Sequence, residues 1–187
     1  MKRIIFILAF VFVSVATAFA QYVVTPRGLE KVTPDDKEYY IIDVPELSQS
    51  ELYTKTLQYI AQTYVSPKDV ITGQVENEML TVNGTQTIFY DFKVRYKLVF
   101  QFKDGRVRFD MPSILSMNKF ENGKEMTLSF TKTGSAVSNI WIFNKKGELR
   151  GLAIPVYKED IENLFNSLYN GYVKFLTQGS DNNDDNW

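Results

Sequence analysis

From Phe92 to Met111 the chain alternates apolar and polar residues on both sides of Asp104-Gly105, and few folds accept that pattern. Phe92, Val94, Tyr96, Leu98, Phe100 and Phe102 fall on one parity, and Lys93, Arg95, Lys97, Val99, Gln101 and Lys103 on the other. A period of two belongs to a β-strand with one buried face. Asp-Gly between two such runs signals a tight hairpin, because the favoured two-residue turn needs positive φ. Folding there sets Phe102 opposite Val107, Phe100 opposite Phe109 and Leu98 opposite Met111, all on one face. A slip by one residue would break every match, so the hairpin predicts a sheet with one apolar and one wet face.

Two helices are predicted to cover the apolar face. Ser48-Gln49-Ser50-Glu51 is a capping box, with Leu47 and Leu52 at the positions of a hydrophobic staple. Tyr53, Leu57, Ile60 and Tyr64 then recur at helical spacing until Pro67. A second helix is predicted from Lys158 to Leu176, with Ile161, Leu164, Phe165, Leu168, Tyr172, Phe175 and Leu176 as its apolar stripe. Gly171 costs that helix about 1 kcal/mol against Ala and reads as a kink.

The remaining strands are predicted from shorter patterns. Tyr39–Val44 ends at Pro45. Val70–Val75 and Met79–Val82 precede a turn at Asn83-Gly84, and the run into the hairpin begins at Ile88. Ile114–Phe120 and Met126–Phe130 flank Asn122-Gly123. Ile140–Phe143 and Leu149–Ile154 flank Lys145–Glu148. Residues 21–38, with Pro26, Gly28 and Pro34, read as a flexible leader, and 177–187 as an acidic, disordered tail. One α+β domain over residues 39–176 is expected, an antiparallel sheet with two helices packed on one face.

The first twenty residues have the layout of a signal peptide. Lys2 and Arg3 precede the ten-residue apolar run Ile4–Val13, and Ala18-Phe19-Ala20 supplies a small–x–small cleavage pattern. That run is well short of the roughly 20 residues that span a bilayer. Cleavage near Ala20 would remove both cations and no acid, moving the formal net charge from −1 to −3. Export to the periplasm or medium is therefore expected. A near-neutral exported chain gives no reason to expect a nucleic-acid partner, and no transmembrane segment is expected in the mature chain.

Cys and His are both absent. Disulfides, Ser-His-Asp triads, Cys-His pairs and zinc sites of the usual ligand types are excluded. Ser116-Met117-Asn118-Lys119, Lys132-Thr133-Gly134 and Ser180-Asp181-Asn182 match three short motifs of penicillin-interacting serine enzymes. That chemistry needs the Ser at a helix N-terminus, whereas Ser116 lies in a β-rich stretch and the S-D-N follows the K-T-G. No catalytic residue, metal site or cofactor is predicted, and an enzyme is not expected.

The wet face supplies the candidate site. Lys93, Arg95, Lys97 and Lys103 share one strand and Arg106 and Arg108 the next, with Asp110 the one acid of the hairpin on that face. Such a face suits an anionic envelope component or a protein partner; solvated charge that blocks aggregation is the plainer explanation. A second possibility is an apolar cavity between helix and sheet that carries a hydrophobic small molecule, lined by aromatics such as Tyr53, Tyr59 and Tyr64.

Tyr40-Ile41-Ile42-Asp43-Val44-Pro45, Glu51-Leu52-Tyr53, Tyr59-Ile60, Tyr64 and Pro67-Lys68-Asp69-Val70-Ile71 resemble a family of exported bacterial domains of unknown function with a TATA-binding-protein-like fold. Tyr96-x-Leu98 and Lys103-Asp104-Gly105-Arg106 extend the resemblance, which covers about residues 39–120. It implies a helix gripped by a curved antiparallel sheet, in an exported protein of Gram-negative gut bacteria. It implies no catalytic residue, and the fold name carries no suggestion of DNA binding.

Overall fold

The computed structural model describes residues 22–33, 35–132, 139–151 and 154–178. In chain order they form β1 (Tyr22–Thr25), β2 (Gly28–Lys31), β3 (Tyr39–Asp43), α1 (Gln49–Thr63), the single-turn α2 (Pro67–Val70), β4 (Ile71–Val75) and β5 (Met79–Thr87). A 3-10 turn (Phe89–Asp91) leads into β6 (Lys93–Lys103), β7 (Arg106–Asp110), β8 (Ser113–Glu121), β9 (Lys124–Ser129), β10 (Asn139–Trp141) and α3 (Ile154–Thr177). The predicted signal segment, the K-T-G and S-D-N motifs beyond Lys132 and the tail beyond residue 178 lie outside the described residues.

The main sheet runs β10-β9-β8-β6-β5-β4, with β7 also on β6 and β3 on β7. All pairings are antiparallel except β10 with β9, which is parallel, so the expected antiparallel sheet is mixed at that edge. β6 is its spine. Phe92, Val94, Tyr96, Leu98, Phe100 and Phe102 are between 0 and 3 % exposed, as the alternation predicts. Phe100 faces Phe109 and Phe102 faces Val107, in the predicted register. The third pair, Leu98 with Met111, does not form. β7 ends at Asp110, Met111 N–H turns away to the Glu38 carbonyl (2.8 Å), and Pro112 has no N–H to give. From Lys97 downward β6 pairs with β8 instead, on the same edge.

Both helices lie on the apolar face. Ser48 caps α1 through the predicted capping box, and Leu52, Tyr53, Thr56 and Ile60 are its buried positions. α3 buries Tyr157, Ile161, Phe165, Tyr169, Tyr172 and Leu176. Its stripe is shifted from the predicted one: Tyr157 and Tyr169 are core, while Leu164 and Leu168 are only half-buried. Rings fill the layer between helices and sheet. Phe100 packs on Tyr172 (centroids 4.9 Å apart), Phe109 on Tyr169 (5.4 Å), Tyr96 on Phe165 (5.6 Å) and Tyr53 on Phe102 (5.6 Å). Full burial of each such side chain is worth about 1.5–3 kcal/mol.

Several expected boundaries move. Residues 22–31 are no flexible leader but the hairpin β1–β2, with Pro26 and Arg27 as its loop. Tyr22 and Val24 are each 2 % exposed, and Tyr22 packs against Tyr40, Phe165 and Tyr169. Asn83-Gly84 is not a turn: β5 runs straight through it, pairing Gly84 with Tyr96. The strand predicted from Ile88 is interrupted by the Phe89–Asp91 turn, where Asp91 has φ 62°. Val70 belongs to α2 rather than a strand, because Pro67 opens a new helical turn instead of only stopping α1. Leu149 makes an isolated bridge to Phe143, and α3 begins at Ile154, with Pro155 in its first turn.

Candidate functional site

The outer face of β6 presents Lys93, Arg95, Lys97, Val99, Gln101 and Lys103, since side chains of a strand alternate. Neighbouring members of that column lie about 7 Å apart along the strand. The structure divides the six predicted cations into two groups. Lys97 and Lys103 are separated by six residues, about 20 Å of strand.

The first group is Lys93, Arg95 and Lys97. Their partners on β5 are Thr87, Thr85 and Asn83. Their partners on β8 are Asn118, Ser116 and Ser113. Every cross-strand neighbour is therefore a neutral hydroxyl or amide. Among the described residues none of the three cations makes an ion pair. Glu125 on β9 is hydrogen-bonded by Asn118 Nδ2 at 2.8 Å. The amide oxygens Asn83 Oδ1 and Asn118 Oδ1 are buried without a hydrogen-bond partner. Phe120, two residues beyond Asn118 on the same face, is 78 % exposed.

The second group is Lys103, Arg106 and Arg108, and acids surround it. Arg106 lies opposite both Lys103 and Asp43. Arg108 donates to Asp110 Oδ1 at 2.6 Å and lies 4.2 Å from the centroid of the Tyr39 ring. An open groove of about 760 Å³ joins these three cations to Glu78, Asp104, Tyr39 and Ile41. Like charges at Lys103 and Arg106 repel, and the neighbouring acids offset that repulsion. This end of the face is a mixed-charge surface rather than a cationic one.

A second open groove, of about 620 Å³, marks the notch where β7 leaves β6 and β8 takes over. Lys97, Arg108 and Asp110 line it from the sheet, and Arg27, Lys31 and Lys37 from the segment read as a leader. Lys31 is bound to Asp35 (2.7 Å) and to the Tyr39 carbonyl (3.1 Å), and Arg27 to Glu30 (2.7 Å). These groups are occupied in holding the hairpin. Sequence reasoning missed them because only the fold brings residues 27–37 beside β6.

Ser116 and Lys119, the Ser and Lys of the S-x-x-K motif, sit three apart on a strand and so point to opposite faces. Lys119 pairs with Glu121 at 2.9 Å. Among the described residues no group of three His, Cys, Asp or Glu is placed to hold a metal ion, and no helix is long and apolar enough to cross a membrane.

An α+β domain whose helices cover one sheet face and leave a polar face open is the class that fold and site define. Residues 39–115 match the model of the domain of unknown function DUF4468, which has a TBP-like fold. Two crystal structures share the architecture. A TBP-like protein from Parabacteroides distasonis ATCC 8503 superposes with a TM-score of 0.53 at 10% identity, over 74% of this chain and 90% of that one. A DUF4468 family protein from Bacteroides ovatus ATCC 8483 does so with a TM-score of 0.50 at 11% identity, over 76% and 89%. Identities this low carry the fold alone. No curated protein matches the chain in sequence.

Proposed function

We propose that this chain is an exported, non-catalytic binding domain of the bacterial cell envelope that holds an anionic component on the open face of its sheet. One observation carries the reading: Lys93, Arg95 and Lys97 form a column with no acid among their cross-strand partners. Three cations on one strand, without an ion pair among the described residues, create a positive potential that attracts anions and that salt screens. The export half rests on Lys2-Arg3, the apolar run and Ala18-Phe19-Ala20. The alternative of a hydrophobic carrier gains no support from a helix–sheet layer filled with ring contacts.

The test is co-sedimentation of the purified protein with bacterial envelope fragments at low and high salt. Binding is expected to fall with salt and to be lost in K93E/R95E/K97E. The companion variant K103E/R106E should retain most of it, because that end of the face is already mixed in charge. Retention indifferent to salt and to the first set of reversals would sink the proposal.

A further inference from the structure

We infer, granting that the Lys93 face binds anions, that its ligand is an acidic polysaccharide of uronate type rather than a lipid headgroup or a protein. A membrane-docking face needs apolar side chains beside its cations, so that both electrostatics and burial contribute. A protein-docking face needs an apolar centre with a polar rim. Here the cations hold the centre, and the exposed apolar side chains of β8, Leu115 and Phe120, lie to one side of them. The centre is Lys93, Arg95 and Lys97, and the flanks are Thr85, Thr87, Asn83 and Ser116. Hydroxyls both donate and accept hydrogen bonds, and amides do so through separate atoms. They match a ligand that carries a hydroxyl on most of its carbons and a carboxylate on each repeat.

Phe120 strengthens the match. It is 78 % exposed on the same face, at the β8 end of the flank that holds Asn118. An aromatic ring there offers a flat apolar surface to the C–H face of a pyranose, while the column takes the carboxylates. An extended chain laid along β6 would meet a cation about every 7 Å, the two-residue rise of the strand.

The experiment is titration calorimetry of the protein against four probes: polygalacturonate, neutral dextran, inorganic polyphosphate and phosphatidylglycerol vesicles. Polygalacturonate is expected to bind and dextran to fail. T85V/T87V/S116A keeps strand-forming residues on an exposed face. It should weaken polygalacturonate binding on the order of tenfold, through three lost hydrogen bonds, and leave polyphosphate binding unchanged. F120A, which leaves every cation of the column in place, should weaken polygalacturonate severalfold and serves as the second variant if the triple one is unstable. Binding of polyphosphate or vesicles without polygalacturonate overturns the glycan assignment and leaves the anion-binding reading standing. Failure of all three anionic probes overturns both. Polygalacturonate binding that neither variant moves, or that dextran equals, overturns the assignment as well.

Discussion

The hydroxyls of Thr56 on α1 and Tyr172 on α3 lie 2.6 Å apart, 116 residues apart in sequence and both 0 % exposed. Thr56 Oγ1 also donates to the Leu52 carbonyl at 2.7 Å, so the phenol is the donor between the two side chains. This bond joins the two helices, and the Tyr172 ring itself packs on Phe100 and Phe109. Tyr172→Phe removes a donor but leaves Thr56 bound to Leu52, and is expected to cost about 1 kcal/mol. Thr56→Val strands a buried phenol and is expected to cost more, about 1–3 kcal/mol. In urea denaturation the double variant should cost less than the sum of the two. Strict additivity would show that the hydroxyls do not interact.

Burial also sets an alkaline limit on stability. Desolvation first, then the neighbouring phenol of Tyr40, pushes Tyr169 up to about 12. Burial likewise raises Tyr22 and Tyr172 above the ordinary phenol value of about 10. A raised folded value means that the unfolded chain releases protons first as pH rises. The stabilisation is therefore complete below about pH 10 and declines above it, by up to about 1.4 kcal/mol per pH unit for each buried phenol. Urea midpoints measured between pH 8 and 11 should be flat and then fall, with tyrosinate absorbance appearing together with unfolding. Tyrosinate forming in the folded protein near pH 10 at all of these positions would contradict it. Tyr169→Phe should make the decline shallower.

Gly84 lies under the ring of its cross-strand partner Tyr96, where an added Cβ would come within 2.3 Å of Cζ. The ring cannot swing clear easily. It is 2 % exposed, its hydroxyl lies 3.2 Å from that of Tyr64, and it packs T-shaped with the ring of Phe165, centroids 5.6 Å apart. Gly84→Ala is therefore expected to destabilise by about 1–3 kcal/mol, despite the better strand propensity of Ala. The comparison is the same substitution in a Tyr96→Leu background, where the cost should largely vanish. An equal cost in both backgrounds would place the problem in the backbone instead.

The same glycine shows where the sequence is legible and where it is not. Asn-Gly is a strong local turn signal, yet at Asn83-Gly84 a tertiary neighbour overrides it, and at Asn122-Gly123 no neighbour does and the turn forms with φ 52° and 73°. Periodicity located the core face of β6 and both helices because burial repeats along the chain. It misplaced the stripe on α3, where Tyr169 and Leu168 differ by one position and only the position of Phe109 decides between them. The six cations were visible as residues, but not the split between them. That split follows from strand partners, Asp43 beside Arg106 and Thr85 with Ser116 beside Arg95, which no local pattern reveals. The hairpin at residues 22–31 was hidden for a related reason: it has only two buried apolar residues of its own, and the helix that covers them lies about 140 residues away.

That hairpin is held to α3 by backbone groups, which makes its attachment open to a single substitution. Asn166 Oδ1 accepts from Tyr22 N–H at 2.7 Å, and Asn166 Nδ2 donates to the Tyr22 carbonyl at 3.3 Å. Glu162, which Lys158 also contacts, accepts from Val24 N–H at 2.7 Å. The side chain of Tyr22 is 2 % exposed, so Asn166→Leu would leave its two backbone groups short of water as well as of partners. The expected cost is about 1–3 kcal/mol. Hydrogen exchange reads the effect locally. In the native protein the amides of Tyr22 and Val24 should be protected, and in Asn166→Leu residues 22–31 should exchange faster while the β6 amides keep their order of protection. Fast exchange at Tyr22 in the unsubstituted protein would mean that the hairpin opens independently. Lys31 and Arg27 would then no longer be fixed beside the notch, and that groove would lose its wall.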